Sequence, residues 1–189
     1  LLGEPALDVC LANHGKELLV HPGPDSVTHR ALFLEQKSVA FDSETDTEVL
    51  AKLVGYFYDG DLEEAVRRAL RDVRGTFGIT VMHADEPDRI VAARRGSPLI
   101  IGVGDDEYLV ASDASAIIQH TPQVIYLADN EVAVVSRNGF HTTNLQAVPV
   151  TKEIEEVEWT LEQLELGDHQ HFMSKEIFEQ PESLRTCLR

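Results

Sequence analysis

Apolar and polar positions fall into a clear rhythm from Phe41 onward. Val49, Leu50, Leu53, Val54 and Phe57 recur at the spacing of one helix face. Ahead of them, Ser43-Glu44-Thr45-Asp46-Thr47-Glu48 offers two overlapping capping boxes, Ser43 with Asp46 and Thr45 with Glu48. Asp59-Gly60 ends this helix and Asp61 caps the next. Leu62, Ala65, Val66, Ala69, Leu70 and Val73 form its apolar stripe, with Glu63 and Glu64 facing Arg67 and Arg68 across one turn.

After Gly75 the period shortens to two. Phe77, Ile79 and Val81 alternate with smaller or polar neighbours, which predicts a half-buried strand, and Asp85-Glu86-Pro87-Asp88 reads as a turn. Strands are expected over 89–93, 99–103, 108–112, 124–127, 131–136 and 139–142, with a short helix over 114–118 started by Asp113. Connections this short favour antiparallel pairing, so two helices followed by a run of strands predict an α+β layered fold. Upstream, Leu18-Leu19-Val20 reads as a strand before the breaker cluster His21-Pro22-Gly23-Pro24-Asp25, and Ala31 to Gln36 as one or two helical turns. Downstream, 151–168 carries seven acids and one lysine and reads as a solvated face; Phe172 to Leu188 reads as a closing helix interrupted near Pro181.

Length and charge narrow the partners. At 189 residues the chain suits one domain with a short appendage. Its 33 acidic against 16 basic side chains give a formal charge of −17, a field that repels nucleic acid and anionic membranes. No apolar run approaches the ~18 residues of a membrane span, and Leu1-Leu2-Gly3-Glu4-Pro5 has no signal-peptide pattern. Cys10 and Cys187 sit in no metal-binding or disulfide pattern and read as unpaired thiols of a reducing compartment. A cytoplasmic location is therefore expected.

Several patterns with chemical connotations are weak. Gly102-Val103-Gly104 lacks the third glycine and following helix of a dinucleotide loop. His169 and His171 flank Gln170 without a further ligand at a familiar metal spacing. Asp105-Asp106-Glu107 is an acidic turn, and Trp159 a packing anchor. No metal and no cofactor are expected.

Three stretches carry more. Ser43-Glu44-Thr45-Asp46-Thr47-Glu48 leads a helix, and Arg95-Gly96-Ser97-Pro98-Leu99-Ile100-Ile101-Gly102 precedes Ala111-Ser112-Asp113. His171-Phe172-Met173-Ser174-Lys175-Glu176-Ile177-Phe178-Glu179-Gln180-Pro181 follows near the end. In this order the chain resembles the glutaminase half of isomerising glutamine–fructose-6-phosphate aminotransferase, from about Ala31 to Arg189; Gly3-Glu4-Pro5 and His21-Pro22-Gly23 are a fainter match.

The resemblance implies a class II glutamine amidotransferase domain with an N-terminal-nucleophile fold. That fold is a four-layer αββα sandwich of two antiparallel sheets, here with N-terminal elements missing. It implies residues 1–168 as the amidotransferase-like domain and 169–189 as the junction toward a sugar-phosphate isomerase domain. Glutamine is then the substrate, the isomerase domain of the same parent chain the partner, and the parent a candidate homodimer. The family's nucleophile is an N-terminal cysteine whose α-amine assists proton transfer; here residue 1 is Leu1 and Cys10 is internal. The family's oxyanion turn is His-Asn-Gly, whereas His21-Pro22-Gly23 keeps only Gly23 as a donor, because Pro22 has neither an amide side chain nor an N–H. Asp46 matches the aspartate that pairs with the glutamine α-ammonium, and helix capping is its alternative role. The expectation is a domain that keeps its glutamine-facing Asp46 while lacking intact catalytic residues. The alternative is a non-catalytic scaffold or regulatory relative.

Overall fold

The computed structural model describes residues 7–11, 34, 36–43, 45–71, 73–157 and 169–187. The chain divides into two units, Leu1–Glu156 and Val157–Arg189.

In the first unit, strand β1 is Leu7–Leu11 and helices α1 and α2 are Asp46–Phe57 and Leu62–Arg71. Strands β2 Phe77–His83, β3 Glu86–Arg95, β4 Ile100–Val103 and β5 Tyr108–Ala111 follow. After a 3-10 turn at Ala114–Ala116 come β6 Gln123–Tyr126, β7 Glu131–Ser136, β8 Gly139–Asn144 and β9 Glu155–Glu156. The strands form a five-stranded sheet, β1-β2-β3-β7-β8, and a four-stranded sheet, β5-β4-β6-β9. Every pairing between strands is antiparallel.

Alternation along the central strands separates two cores. Val91, Ala93, Val132 and Val134 face the helices and pack with Leu50, Leu53, Val54, Leu62, Val66 and Leu70. Their neighbours Ala92, Ala133 and Val135 face the other way, onto Leu99, Ile101, Ile125 and Leu127 of the second sheet region. A strand covered on both faces reads as a continuous apolar run, as Val132-Ala133-Val134-Val135 does. On the far side of the second sheet, Ile117 packs over Gly102, just beyond the 3-10 turn. The layer order is thus the expected helix, sheet, sheet, helix; among the described residues the last layer is that short turn.

The close approach at Gly102 yields a test. A Cβ there would lie 2.5 Å from Cγ2 of Ile117 and 3.2 Å from Cγ2 of Thr121. Thr121 is itself held by its hydroxyl donating to the Val103 carbonyl at 2.7 Å. Gly102→Ala is expected to destabilise by about 1–3 kcal/mol through overpacking. Denaturant titration decides, because relief of unfolded-state entropy alone would instead stabilise by about 0.4–1 kcal/mol.

The structure revises several expected elements. The β2–β3 turn is Ala84-Asp85, with His83 paired to Glu86, so β3 begins before Pro87. Pro87 falls in the irregular stretch between the His83–Glu86 and Val81–Val91 pairs, a setting that tolerates a missing N–H. Glu86 Oε1 also accepts the Leu62 N–H at 2.9 Å, so a hairpin residue helps cap α2. Beside it Tyr58 stacks on His83 at 3.7 Å, and burial, then the Glu86 charge, pushes the Tyr58 phenol up. Arg68 lies 4.7 Å over the Phe57 ring rather than pairing along α2. Arg67 takes both Glu63 and Glu64. Part of the acidic tail is structural: Glu155 and Glu156 pair with β6, and Lys152 meets Glu131. Leu18–Val20, most of Ala31–Gln36 and Trp159 lie outside the described residues.

In the second unit, α3 spans Phe172–Cys187 without the interruption expected at Pro181. Proline removes one helical hydrogen bond and crowds the carbonyl four residues back. Here the good helix formers on both sides, Glu176 and Glu179 before it and Leu184 and Arg185 after it, carry the helix past that loss. His169 stacks on Phe178 at 5.7 Å, and its Nδ1 lies 3.5 Å from the Ser174 hydroxyl.

Candidate functional site

The site begins where Phe41, Asp42, Ser43 and Thr45 lead into α1. Phe41 packs against the core under the helices and fixes the loop's entry. Thr45 is the N-cap, in extended conformation, and its hydroxyl accepts the Glu48 N–H at 3.4 Å. The Thr45 N–H in turn donates to the Ser43 hydroxyl oxygen at 3.3 Å.

Glu48 reaches further back than a capping box requires. One carboxylate oxygen accepts the Asp42 N–H at 2.8 Å. The other accepts the Ser43 N–H at 2.7 Å and the Ser43 hydroxyl at 2.5 Å. These donors, the Ser43 hydroxyl first and the Asp42 N–H next, hold the Glu48 carboxyl below its ordinary value. A carboxylate lowered on folding stabilises the fold fully at neutral pH, and that contribution is lost as pH falls through the lowered value.

Of the two overlapping capping boxes, the structure forms only the forward half of the second, the Glu48 N–H donating to the Thr45 hydroxyl, while the Glu48 carboxylate passes over Thr45 to Asp42 and Ser43. Asp46 is the first helical residue, half-buried, and among the described residues its carboxylate has no hydrogen-bond or ion-pair partner. It sits in the first turn of α1, at the positive end of the helix dipole. An unspent carboxylate at a fixed helix start is suited to receive an ammonium group.

The other expected site features are placed as follows. Cys10 lies within β1, opposite Thr80, so its nitrogen is a peptide amide. Gly23, with His21 and Pro22, lies outside the described residues. Gly102 is inside β4, and Gly104 closes the β4–β5 turn by donating to the Glu107 carbonyl at 2.9 Å. Among the described residues no three His, Cys, Asp or Glu side chains come together as metal ligands.

Sequence reasoning missed a second polar cluster where β3 meets β7. Asp129 accepts the Gly96 N–H at 2.9 Å and the Arg94 guanidinium at 2.8 Å. Those bonds, the Gly96 N–H foremost, hold the Asp129 carboxyl low. Arg95 donates to Asn130 at 2.6 Å and to the Val73 carbonyl, with its guanidinium 4.9 Å over the Phe77 ring. Gly96 has φ +73°, and a Cβ there would lie 2.5 Å from Cγ2 of Thr76. The paired arginines, the glycine and the distant Asp129-Asn130 are visible in the sequence, but only folding joins them.

Comparison with known proteins places these features in a family context. Residues 28–119 match the family model described as a glutamine amidotransferase domain. The chain is 48% identical over 153 residues to the isomerising glutamine–fructose-6-phosphate aminotransferase of Chlorobaculum tepidum, covering 79% of this chain and 25% of that protein. The enzyme of the same name from a strain of Thermus thermophilus is 45% identical over 175 residues, 92% of this chain and 29% of its own. That from Clostridium acetobutylicum is 37% identical across 94% of this chain and 32% of its own. The chain thus spans about a quarter to a third of these relatives. Among solved structures, glutamine phosphoribosylpyrophosphate amidotransferase from B. subtilis shares the fold with a TM-score of 0.54 at 23% identity, over 75% of this chain and 28% of that one.

Proposed function

Because the chain carries a class II glutamine amidotransferase domain related to the glutamine-hydrolysing domain of isomerising glutamine–fructose-6-phosphate aminotransferases, we propose that Asp46 receives the α-ammonium of glutamine. The observation that carries this reading is that capping falls to Thr45 and Glu48, leaving the Asp46 carboxylate unengaged among the described residues. An ammonium drawn out of water needs an anionic partner, and a carboxylate already anchored at a helix start loses little freedom in supplying one.

Amide hydrolysis asks for more than recognition. A nucleophile must attack the side-chain carbonyl, a base must accept its proton, and donors must meet the developing oxyanion. Within the 189 residues neither cysteine carries a free amine: Cys10 is inside β1 and Cys187 ends α3. Pro22 offers the oxyanion neither a side-chain amide nor an N–H. On this reading the described residues supply recognition of glutamine, and the nucleophile is not among them.

In the longer enzymes of this type the released ammonia would pass to fructose 6-phosphate, giving glucosamine 6-phosphate. Residues 1–168 would be the amidotransferase unit, and 169–189 would lead toward the sugar-phosphate isomerase domain. Among the described residues no helix is long and apolar enough to cross a membrane, and we place the domain's work in the cytoplasm, with its sugar-phosphate partner.

A glutaminase assay on the purified 189-residue polypeptide tests the catalytic half of the reading. Glutamate release no greater than that of Asp46→Ala is expected. Release clearly above that variant, at glutamine concentrations saturating the chain, would show that a nucleophile is in place and overturn it.

A further inference from the structure

We infer that Glu48 is a positioning residue for glutamine recognition, acting by withholding the Ser43 donors from Asp46. By spacing alone, Asp46 and Glu48 have the same opportunity to fold back on the preceding loop, since Ser43 and Asp46 are placed as a capping box in their own right. The Ser43 hydroxyl has a single hydrogen to give, so the two carboxylates compete for it. In the structure Glu48 takes it, accepting the Ser43 N–H at 2.7 Å, its hydroxyl at 2.5 Å and the Asp42 N–H at 2.8 Å. Ordinary capping does not account for this arrangement. The N-cap residue is Thr45, whose own N–H goes to Ser43 instead of to Glu48.

The arrangement divides the work between two acids of one helical turn. Three donors satisfy Glu48, so it has little left to offer a cation. Asp46, one residue beyond the cap, is kept from turning back. Removing the Glu48 carboxylate frees the Ser43 N–H and hydroxyl, and Asp46 is the nearest acid of suitable spacing to claim them. A claimed Asp46 is a worse partner for an ammonium, though the helix itself would remain capped.

This assignment rests on the reading of Asp46 given above, and a pair of ligands separates the two. L-Glutamine and glutaramate share the amide and the carboxylate, but glutaramate lacks the α-ammonium. Calorimetric titration of both into the 189-residue chain, its Glu48→Ala variant and its Glu48→Gln variant supplies the comparison. The wild-type chain should prefer glutamine. Glu48→Ala should lower glutamine affinity by about tenfold, the scale of one charge-assisted hydrogen bond, with glutaramate affinity unchanged. Glu48→Gln, which keeps the length and one acceptor oxygen, should fall between.

Equal weakening of both ligands would mean that Glu48 only supports the loop and would overturn the inference. So would a Glu48→Ala chain that keeps the wild-type preference; in that case the Asp46 reading survives alone. A wild-type chain with no preference for glutamine would remove the Asp46 reading and this inference with it. Should the alanine variant fail to fold by circular dichroism, Glu48→Gln alone decides by the same criterion, a selective loss for glutamine.

Discussion

Lys152→Ala should cost about 3–5 kcal/mol of stability, the usual effect of removing one partner from a buried ion pair. Lys152 Nζ lies 2.5 Å from Glu131 Oε2, with the side chains 15% and 10% exposed. The same Glu131 oxygen accepts the Ala128 N–H at 2.6 Å. Truncating the lysine leaves a buried carboxylate with one donor and no countercharge. Placement adds to the effect. The segment carrying Lys152 runs from the edge of the five-stranded sheet, where Val150 donates to Thr142 at 2.9 Å, to β9 in the four-stranded one. The pair therefore pins the chain as it passes between sheets. A thermal melt should show a drop of roughly 10 °C, given about 2–4 °C per kcal/mol for chains of this length. The pair is not needed as charge: Glu131→Leu with Lys152→Met should recover most of the loss, because well-packed apolar replacements of buried pairs are often neutral or better. A melting shift under about 2 °C for Lys152→Ala would show that the carboxylate finds water or another donor.

Asp46→Asn carries the largest expected effect on recognition. The substitution keeps shape and removes charge. If the carboxylate receives the glutamine ammonium, affinity should fall by about 10–100-fold, corresponding to the 1.5–3 kcal/mol of a hydrogen bond to a charged group. Binding of glutaramate should not change. Stability should move little, by at most the roughly 0.3–1 kcal/mol of a charge near a helix start, because the Asp46 carboxylate makes no bond to the rest of the described chain. A fall in melting temperature matching the loss of affinity would instead mark Asp46 as a structural residue.

What could be read from the sequence follows from how local each interaction is. Helices α1 and α2 were legible because their apolar stripes repeat within one element and their caps lie within one turn. The central strands were legible as elements because each is short, apolar and bounded by turn residues. The missing pieces are the ones whose partners are remote. β1 pairs with β2 across some 70 residues of chain, so Leu7-Asp8-Val9-Cys10-Leu11 has no local sign of its ladder. β9 consists of two exposed glutamates and exists only because β6 lies beside it. Lys152 and Glu131 were indistinguishable from solvated charges until folding buried them together. Pro87 and Pro181 were both read as stops; the first lies at a sheet irregularity and the second inside a helix that continues.

The candidate site divides the same way. Asp46 was found through family resemblance, while spacing alone left it equal to a capping acid. The allocation that distinguishes it is a competition between two acids for the Ser43 donors. Such a competition is decided by loop geometry, and no residue pattern encodes its outcome.

The central claim is that this scaffold presents Asp46 to glutamine. A crystal structure of the 189-residue chain grown with L-glutamine tests it most directly. The expected result is the α-ammonium within about 3 Å of the Asp46 carboxylate, with Glu48 still closed on Asp42 and Ser43. Glutamine seated away from α1, or an Asp46 carboxylate turned back onto Ser43 beside the bound amino acid, would contradict it.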